Sequence, residues 1–254
     1  MFKHHQDTIN NVIKRMKEDD KVLALIIAGS IAHGFAKEDS DVDIMIVVSN
    51  EEYERRFKNG QLLYWEKESC TYEEGYVDGK YVSVDYIKGV ANDGYEPGKY
   101  AFNNAYIAYS KIPDLEELIK QAAKYPIKYK EARMKWFYAK FHEWYWYYND
   151  GVKKNDAYMI NYSLSNMILC GGRAILAYNE LVFPYHKWFL KVLEGAEYKP
   201  EGLMKLIDAA LETRTGEAIE KYAQAIINFT DWGIKSWEWS KCLMSDIDLG
   251  GSVD

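Results

Sequence analysis

A chain of 254 residues, 48% of them hydrophobic, has enough apolar side chain to bury a substantial core, which excludes a disordered polypeptide. The longest unbroken apolar run, Val22 to Ala28, is too short to cross a bilayer, and the opening residues Met1 to Asp7 carry no apolar signal core, so a cytoplasmic protein is expected. A net charge of −7 speaks against a long phosphate-tracking surface, and Cys70, Cys170 and Cys242, odd in number and widely spaced, suggest buried free thiols rather than a disulfide framework or a zinc site.

In chain order, Ile9, Val12, Ile13 and Met16 form the apolar stripe of an amphipathic helix that should pack on a sheet. Val22 to Ala28 reads as a buried strand, Gly29-Ser30 as a turn, Ile31 to Phe35 as a short helix, and Asp41 to Val48 as a second buried strand. Ser49 with Glu52 three residues on is a capping box that opens another helix. Leu62 to Glu66 and Ser69 to Val77 are strand-like, and Asp78-Gly79 reads as a two-residue hairpin that returns the chain as a strand over Tyr81 to Ile87. Gly89 to Lys99, with three glycines and Pro97, reads as a long loop.

From Asp114 onward the pattern is helical, punctuated by Pro126, Gly151, Gly171-Gly172, Pro184, Pro200 and Gly233, which predicts a bundle. A helix carrying Trp136, Phe137, Tyr138, Phe141, Trp144, Tyr145, Trp146, Tyr147 and Tyr148 is apolar nearly all round, as expected of packing against several neighbours, with a pocket or a homodimer interface as further uses. His142 and Glu143 in that run are acid–base candidates, although a His among aromatics is more often a core residue.

The chemistry concentrates at Gly29-Ser30 and at Asp41-Val42-Asp43, each flanked by hydrophobic strand residues. Aspartates at i and i+2 of a strand point to one face and can converge on a hard cation, while Val42, Ile44 and Ile46 take the other face. Asp85, read on the strand Tyr81 to Ile87, would add a third carboxylate, making a site for one or two magnesium ions. Gly29 lets the backbone approach a phosphate, and the Ser30 hydroxyl adds a donor. Glu38 and Asp39 belong to the loop, which Ser40 could cap or orient.

These residues resemble the polymerase-β-like nucleotidyltransferase superfamily: a hydrophobic strand, Gly-Ser, a short helix, an Asp-x-Asp strand and a later strand acid. The resemblance implies an α+β nucleotidyltransferase catalytic domain with a mixed sheet, set at residues 1–110, followed by an all-α bundle at 111–254 that helps bind substrate or nucleotide. It implies that Gly29 and Ser30 hold a triphosphate, that Asp41 and Asp43 bind magnesium, two ions being expected, and that Asp85 binds a metal or acts as general base. The segment Asn179 to Phe189 looks like part of the helical domain of bacterial small-molecule nucleotidyltransferases of the kanamycin and lincosamide kind, which makes Lys187 a candidate triphosphate ligand and Arg173 a substitute. The expected reaction moves a nucleoside monophosphate, AMP for choice, from ATP to a hydroxyl of a small molecule, an antibiotic among the acceptors considered. A protein-modifying adenylyltransferase of the toxin–antitoxin type and a non-catalytic nucleotide-binding regulator remain alternatives; a polynucleotide polymerase would need a basic track that the sequence lacks.

Overall fold

The computed structural model describes residues 1–234 and 238–240; Cys242 lies outside them, while Cys70 and Cys170 are free thiols, the second of them buried. The chain divides into two compact units, Met1–Lys124 and Tyr125–Asp254. The first unit therefore runs past residue 110 and keeps a helix that the sequence division places in the second.

That unit is built on a five-stranded mixed sheet. Helix α1 (Lys3–Lys17) leads into β1 (Val22–Ile27), then α2 (Gly29–Ala32), β2 (Val42–Val48), α3 (Asn50–Lys58), β3 (Leu63–Glu66), β4 (Val77–Ser83), α4 (Val84–Asp93), α5 (Glu96–Ala101), β5 (Tyr106–Ser110) and α6 (Leu115–Ala123). The strand order is β3-β4-β2-β1-β5; β2 and β4 are parallel and the other neighbours antiparallel. Period-two alternation sorts the strands between two cores. Leu25 and Ile27 of β1 with Val42, Ile44, Ile46 and Val48 of β2 bury against the stripe Ile9, Val12 and Met16 of α1. Ala24 and Ile26 with Met45, Val47 and Val82 bury against Ile87 and Val90 of α4 and Leu115, Ile119 and Ala122 of α6. Two helices of this unit are capped by serine, as at Ser49, whose hydroxyl accepts from the amide of Glu52 at 3.2 Å.

Three local expectations are corrected. Ser69 to Val77 is largely a loop, with β4 beginning only at Val77. Asp78-Gly79 lies inside β4 and is no hairpin: a Cβ on Gly79 would come 2.6 Å from Ile44 Cγ1, so the glycine serves close packing between parallel strands. Gly89 to Lys99 is mostly helical, in α4 and α5, because the buried Lys99 ammonium donates to the Val90 and Ala91 carbonyls at 2.7 and 2.9 Å and ties the end of the first helix to the second.

The second unit is helical: α7 (Lys130–Lys154), α8 (Ala157–Tyr178), α9 (Phe189–Glu194), α10 (Leu203–Thr213) and α11 (Gly216–Ile227). Phe137, Tyr138, Phe141 and Tyr148 of α7 enter a shared core with Leu164, Met167 and Ile175 of α8 and Tyr222 and Ile226 of α11. Gly151, Gly171 and Gly172 do not interrupt helices but sit within them; a Cβ would come 2.6 Å from the Tyr222 hydroxyl at Gly171 and 2.3 Å from Phe189 at Gly172, and would be a tight 3.1 Å from Met159 at Gly151. Among the described residues no helix is long and apolar enough to cross a membrane.

Candidate nucleotide and metal site

The site is assembled where β1 ends and β2 begins. The Ala28 amide donates to the Asp43 carbonyl at 3.0 Å, and the chain then turns through Gly29 at φ +59° into the short α2. A Cβ on Gly29 would stand 1.7 Å from Asp43 Oδ2, so the backbone lies directly against that carboxylate and only glycine fits. The next side chain, Ser30, is buried, and its hydroxyl has no hydrogen-bond partner among the described residues. An orphaned buried hydroxyl costs about 1–3 kcal/mol, a cost that a ligand oxygen at this position would offset.

Asp43 pairs in register with Asp78 across the parallel strands β2 and β4. Both share the face of Met45, Val47 and Val82, opposite the Ile44 face, and Asp41 has the same parity two residues earlier. One carboxylate oxygen from each of Asp41, Asp43 and Asp78 lies within 4.8 Å of the others, and all three residues are half-buried. Two unit charges at such a separation repel by about 4 kcal/mol at the effective dielectric of a protein surface, so three carboxylates held together form a seat for positive charge. An all-oxygen, carboxylate-rich donor set suits a hard divalent cation such as magnesium, and the residues present fit one. The same charge reaches the tyrosines beside it: the Asp41 carboxylate, then burial, push the Tyr76 phenol up, with Asp78 and Asp43 adding to the effect. Tyr72 is pushed up to about 12 chiefly by burial, with Cys70 and Asp41 contributing.

The structure thus brings Gly29, Ser30, Asp41 and Asp43 together and joins Asp78, not Asp85, to them. Asp85 does not lie on a strand. The Ser83 hydroxyl accepts from the Tyr86 amide at 3.1 Å, ending β4 and starting α4, so Asp85 becomes a first-turn helix acid. The five strand steps from Asp78 to Ser83 alone span roughly 17 Å, and the start of α4 follows before Asp85 is reached. Its side chain is 62% exposed and engages Asn50 and Lys88. Asp78 went unread because Asp-Gly is the strongest short hairpin signal; the clue to the contrary is Val77, Gly79 and Tyr81 alternating with Asp78, Lys80 and Val82 as one unbroken strand.

Lys187 stands exposed in the second unit, on a turn of 3-10 helix at His186–Trp188, with its ammonium 5.3 Å from the Trp188 ring. Arg173, on α8, has its guanidinium between the rings of Phe137 and Phe183 at 4.0 and 4.4 Å. His142 packs edge-on to Tyr138 and Phe141, and burial holds its pKa below the usual value, as in a core histidine. Glu143 is buried in an ion pair with Lys140. In the loop before Asp41, Ser40 Oγ accepts from the Lys37 amide at 2.9 Å.

Comparison with known proteins gives the family and the fold. The family model described as a nucleotidyltransferase domain matches residues 9–142, more than half of the chain. Among solved structures, a nucleotidyltransferase-like protein from Exiguobacterium sibiricum 255-15 is similar in fold, with a TM-score of 0.50 over 94% of this chain and 78% of that one, at 11% identity. No curated protein matches the chain.

Proposed function

The chain belongs to the nucleotidyltransferase domain family, and on that premise we propose that it moves a nucleoside monophosphate, AMP by preference, from a triphosphate to a hydroxyl of a small molecule. The observation that carries this reading is the convergence of Asp41, Asp43 and Asp78 on one point beside the bare backbone of Gly29. A triphosphate needs a bound cation and close backbone approach together, and carboxylates able to hold such a cation stand beside the bare Gly29 backbone at the end of β1.

In this reading Asp41, Asp43 and Asp78 would hold divalent magnesium, which would supply charge neutralisation for the phosphates and the departing pyrophosphate. Gly29 leaves room for the phosphate chain, and the buried Ser30 hydroxyl donates to one of its oxygens. The acceptor oxygen attacks the α-phosphorus in line, and the bond to the pyrophosphate oxygen breaks. Asp78, on the strand beside the other two, takes the proton of the acceptor hydroxyl on a carboxylate oxygen. The net charge of −7 supports a small and cationic acceptor over a polynucleotide, and hydroxylated amines of the aminoglycoside type are the first class to screen.

Calorimetry with ATP, GTP, CTP and UTP in the presence of magnesium tests the donor half of the proposal. ATP is expected to bind only with the metal, and the Asp41→Ala, Asp43→Ala double variant to lose that binding. A folded wild type that binds none of the four overturns the reading. Pyrophosphate release then identifies the acceptor.

A further inference from the structure

Asp41 sits just ahead of β2, where the sheet no longer holds the chain: the β2–β4 ladder begins at Val42 paired with Val77. Its backbone is fixed instead by the loop between β3 and β4. The Tyr72 hydroxyl donates to the Ser40 carbonyl at 2.6 Å, one residue before Asp41. The Tyr76 carbonyl accepts from the Val42 amide at 3.1 Å, one residue after it. We propose that Tyr72 is a positioning residue whose hydroxyl, together with the main chain at Tyr76, holds Asp41 in the arrangement that binds a divalent cation, a role that rests on the metal-site reading above.

The loop is itself anchored well enough to impose a position. The Thr71 amide donates to Thr8 Oγ1 at 3.2 Å, its hydroxyl donates to the His4 carbonyl at 3.1 Å, and Asn11 donates to the Ser69 carbonyl at 3.1 Å, all on α1. The Ser69 amide donates to the buried carboxylate of Glu66 at 2.9 Å. The Tyr72 ring packs 4.6 Å from His4 and 5.3 Å from His5, and the chain folds back over it so tightly that a Cβ on Gly75 would come 2.7 Å from the ring. Tyr76 in turn rests against Trp65, with ring centroids 6.2 Å apart. The loop therefore acts as a strap from α1 to the metal site: the Tyr72 hydroxyl and the Tyr76 carbonyl hold the residues on either side of Asp41, the one of the three acids that lacks strand pairing, while Asp43 and Asp78 are set by the sheet.

The test is manganese binding by the full chain, read from loss of the free-ion electron paramagnetic resonance signal. Removing this hydrogen bond should weaken binding about three- to tenfold in Tyr72→Phe, with the ring retained and the thermal midpoint little changed. Tyr64→Phe is the control, since the Tyr64 hydroxyl is buried without a hydrogen-bond partner among the described residues, and it should bind as the wild type does. A wild type that binds manganese while Tyr72→Phe keeps its affinity within twofold overturns the positioning role alone. A wild type that binds no manganese overturns the positioning role and the metal site together. Should Tyr72→Phe lose its fold, Thr71→Val, which frees the same loop from the His4 carbonyl, decides the question: it should weaken binding, and an affinity within twofold of the wild type's overturns the role.

Discussion

Both compact units use glycine to bring backbone against a side chain, but they press it against opposite kinds of group. In the first unit Gly29 lies against the carboxylate of Asp43, at the mouth of the acidic cluster. In the second, Gly171 lies against the Tyr222 hydroxyl and the Phe141 ring, and Gly172 against the ring of Phe189. The first contact stands beside the buried Ser30 hydroxyl, which has no hydrogen-bond partner among the described residues, and it is where the proposed function seats a ligand. The second closes an apolar core in which the Tyr222 hydroxyl donates to the Met167 carbonyl at 3.2 Å. One device serves binding in one unit and cohesion in the other, and substitutions should separate the two uses.

The largest effect is expected at Gly29→Ala. The new methyl group meets Asp43 Oδ2 and a φ of +59° disfavours any side chain, so Asp43 must move; displacement of a catalytic group by about 1 Å costs roughly a hundredfold in rate. Nucleotidyl transfer should fall by that much, while denaturation of the helical unit is unaltered. Gly172→Ala should do the reverse: a Cβ 2.3 Å from Phe189 Cζ overpacks the core by about 1–3 kcal/mol, which lowers the urea midpoint and leaves manganese affinity as it was. Loss of metal binding without loss of stability in that variant would break the division of labour. Ser49→Ala, which removes the cap of α3, should cost about 1 kcal/mol in the same unfolding experiment. Asp85→Ala marks the floor: an exposed first-turn residue should change stability by no more than about 0.5 kcal/mol, and manganese titration should match the wild type, whereas Asp78→Ala should abolish binding.

The parts of this molecule that sequence discloses are those whose signal is local. The stripe Ile9, Val12 and Met16 and the buried runs of β1 and β2 announce their elements because period and burial agree. The Gly29-Ser30 and Asp41-x-Asp43 pair is equally open, since both halves are a few residues of strand end. Asp78 is hidden because its meaning depends on a neighbour 35 positions earlier: only the register of β4 against β2 reveals that Gly79 makes room for Ile44 and that Asp78 faces Asp43. Gly171 and Gly172 mislead for the same reason, their purpose lying in Tyr222 and Phe189 on other helices. Ser83 is a case where a weak local cue outranked a stronger pattern. Its cap ends the strand two residues before Asp85, and the acid that completes the cluster stands at the other end of β4.

The central claim is that β2 and β4 together, through Asp41, Asp43 and Asp78, hold the metal for nucleotidyl transfer. A crystal of the full chain grown with manganese and a non-hydrolysable ATP analogue tests it directly by anomalous diffraction. The account predicts an anomalous peak bounded by carboxylate oxygens of those three residues, with the triphosphate against Gly29. A peak coordinated by Asp85, or a nucleotide bound with no metal at the three aspartates, would contradict it.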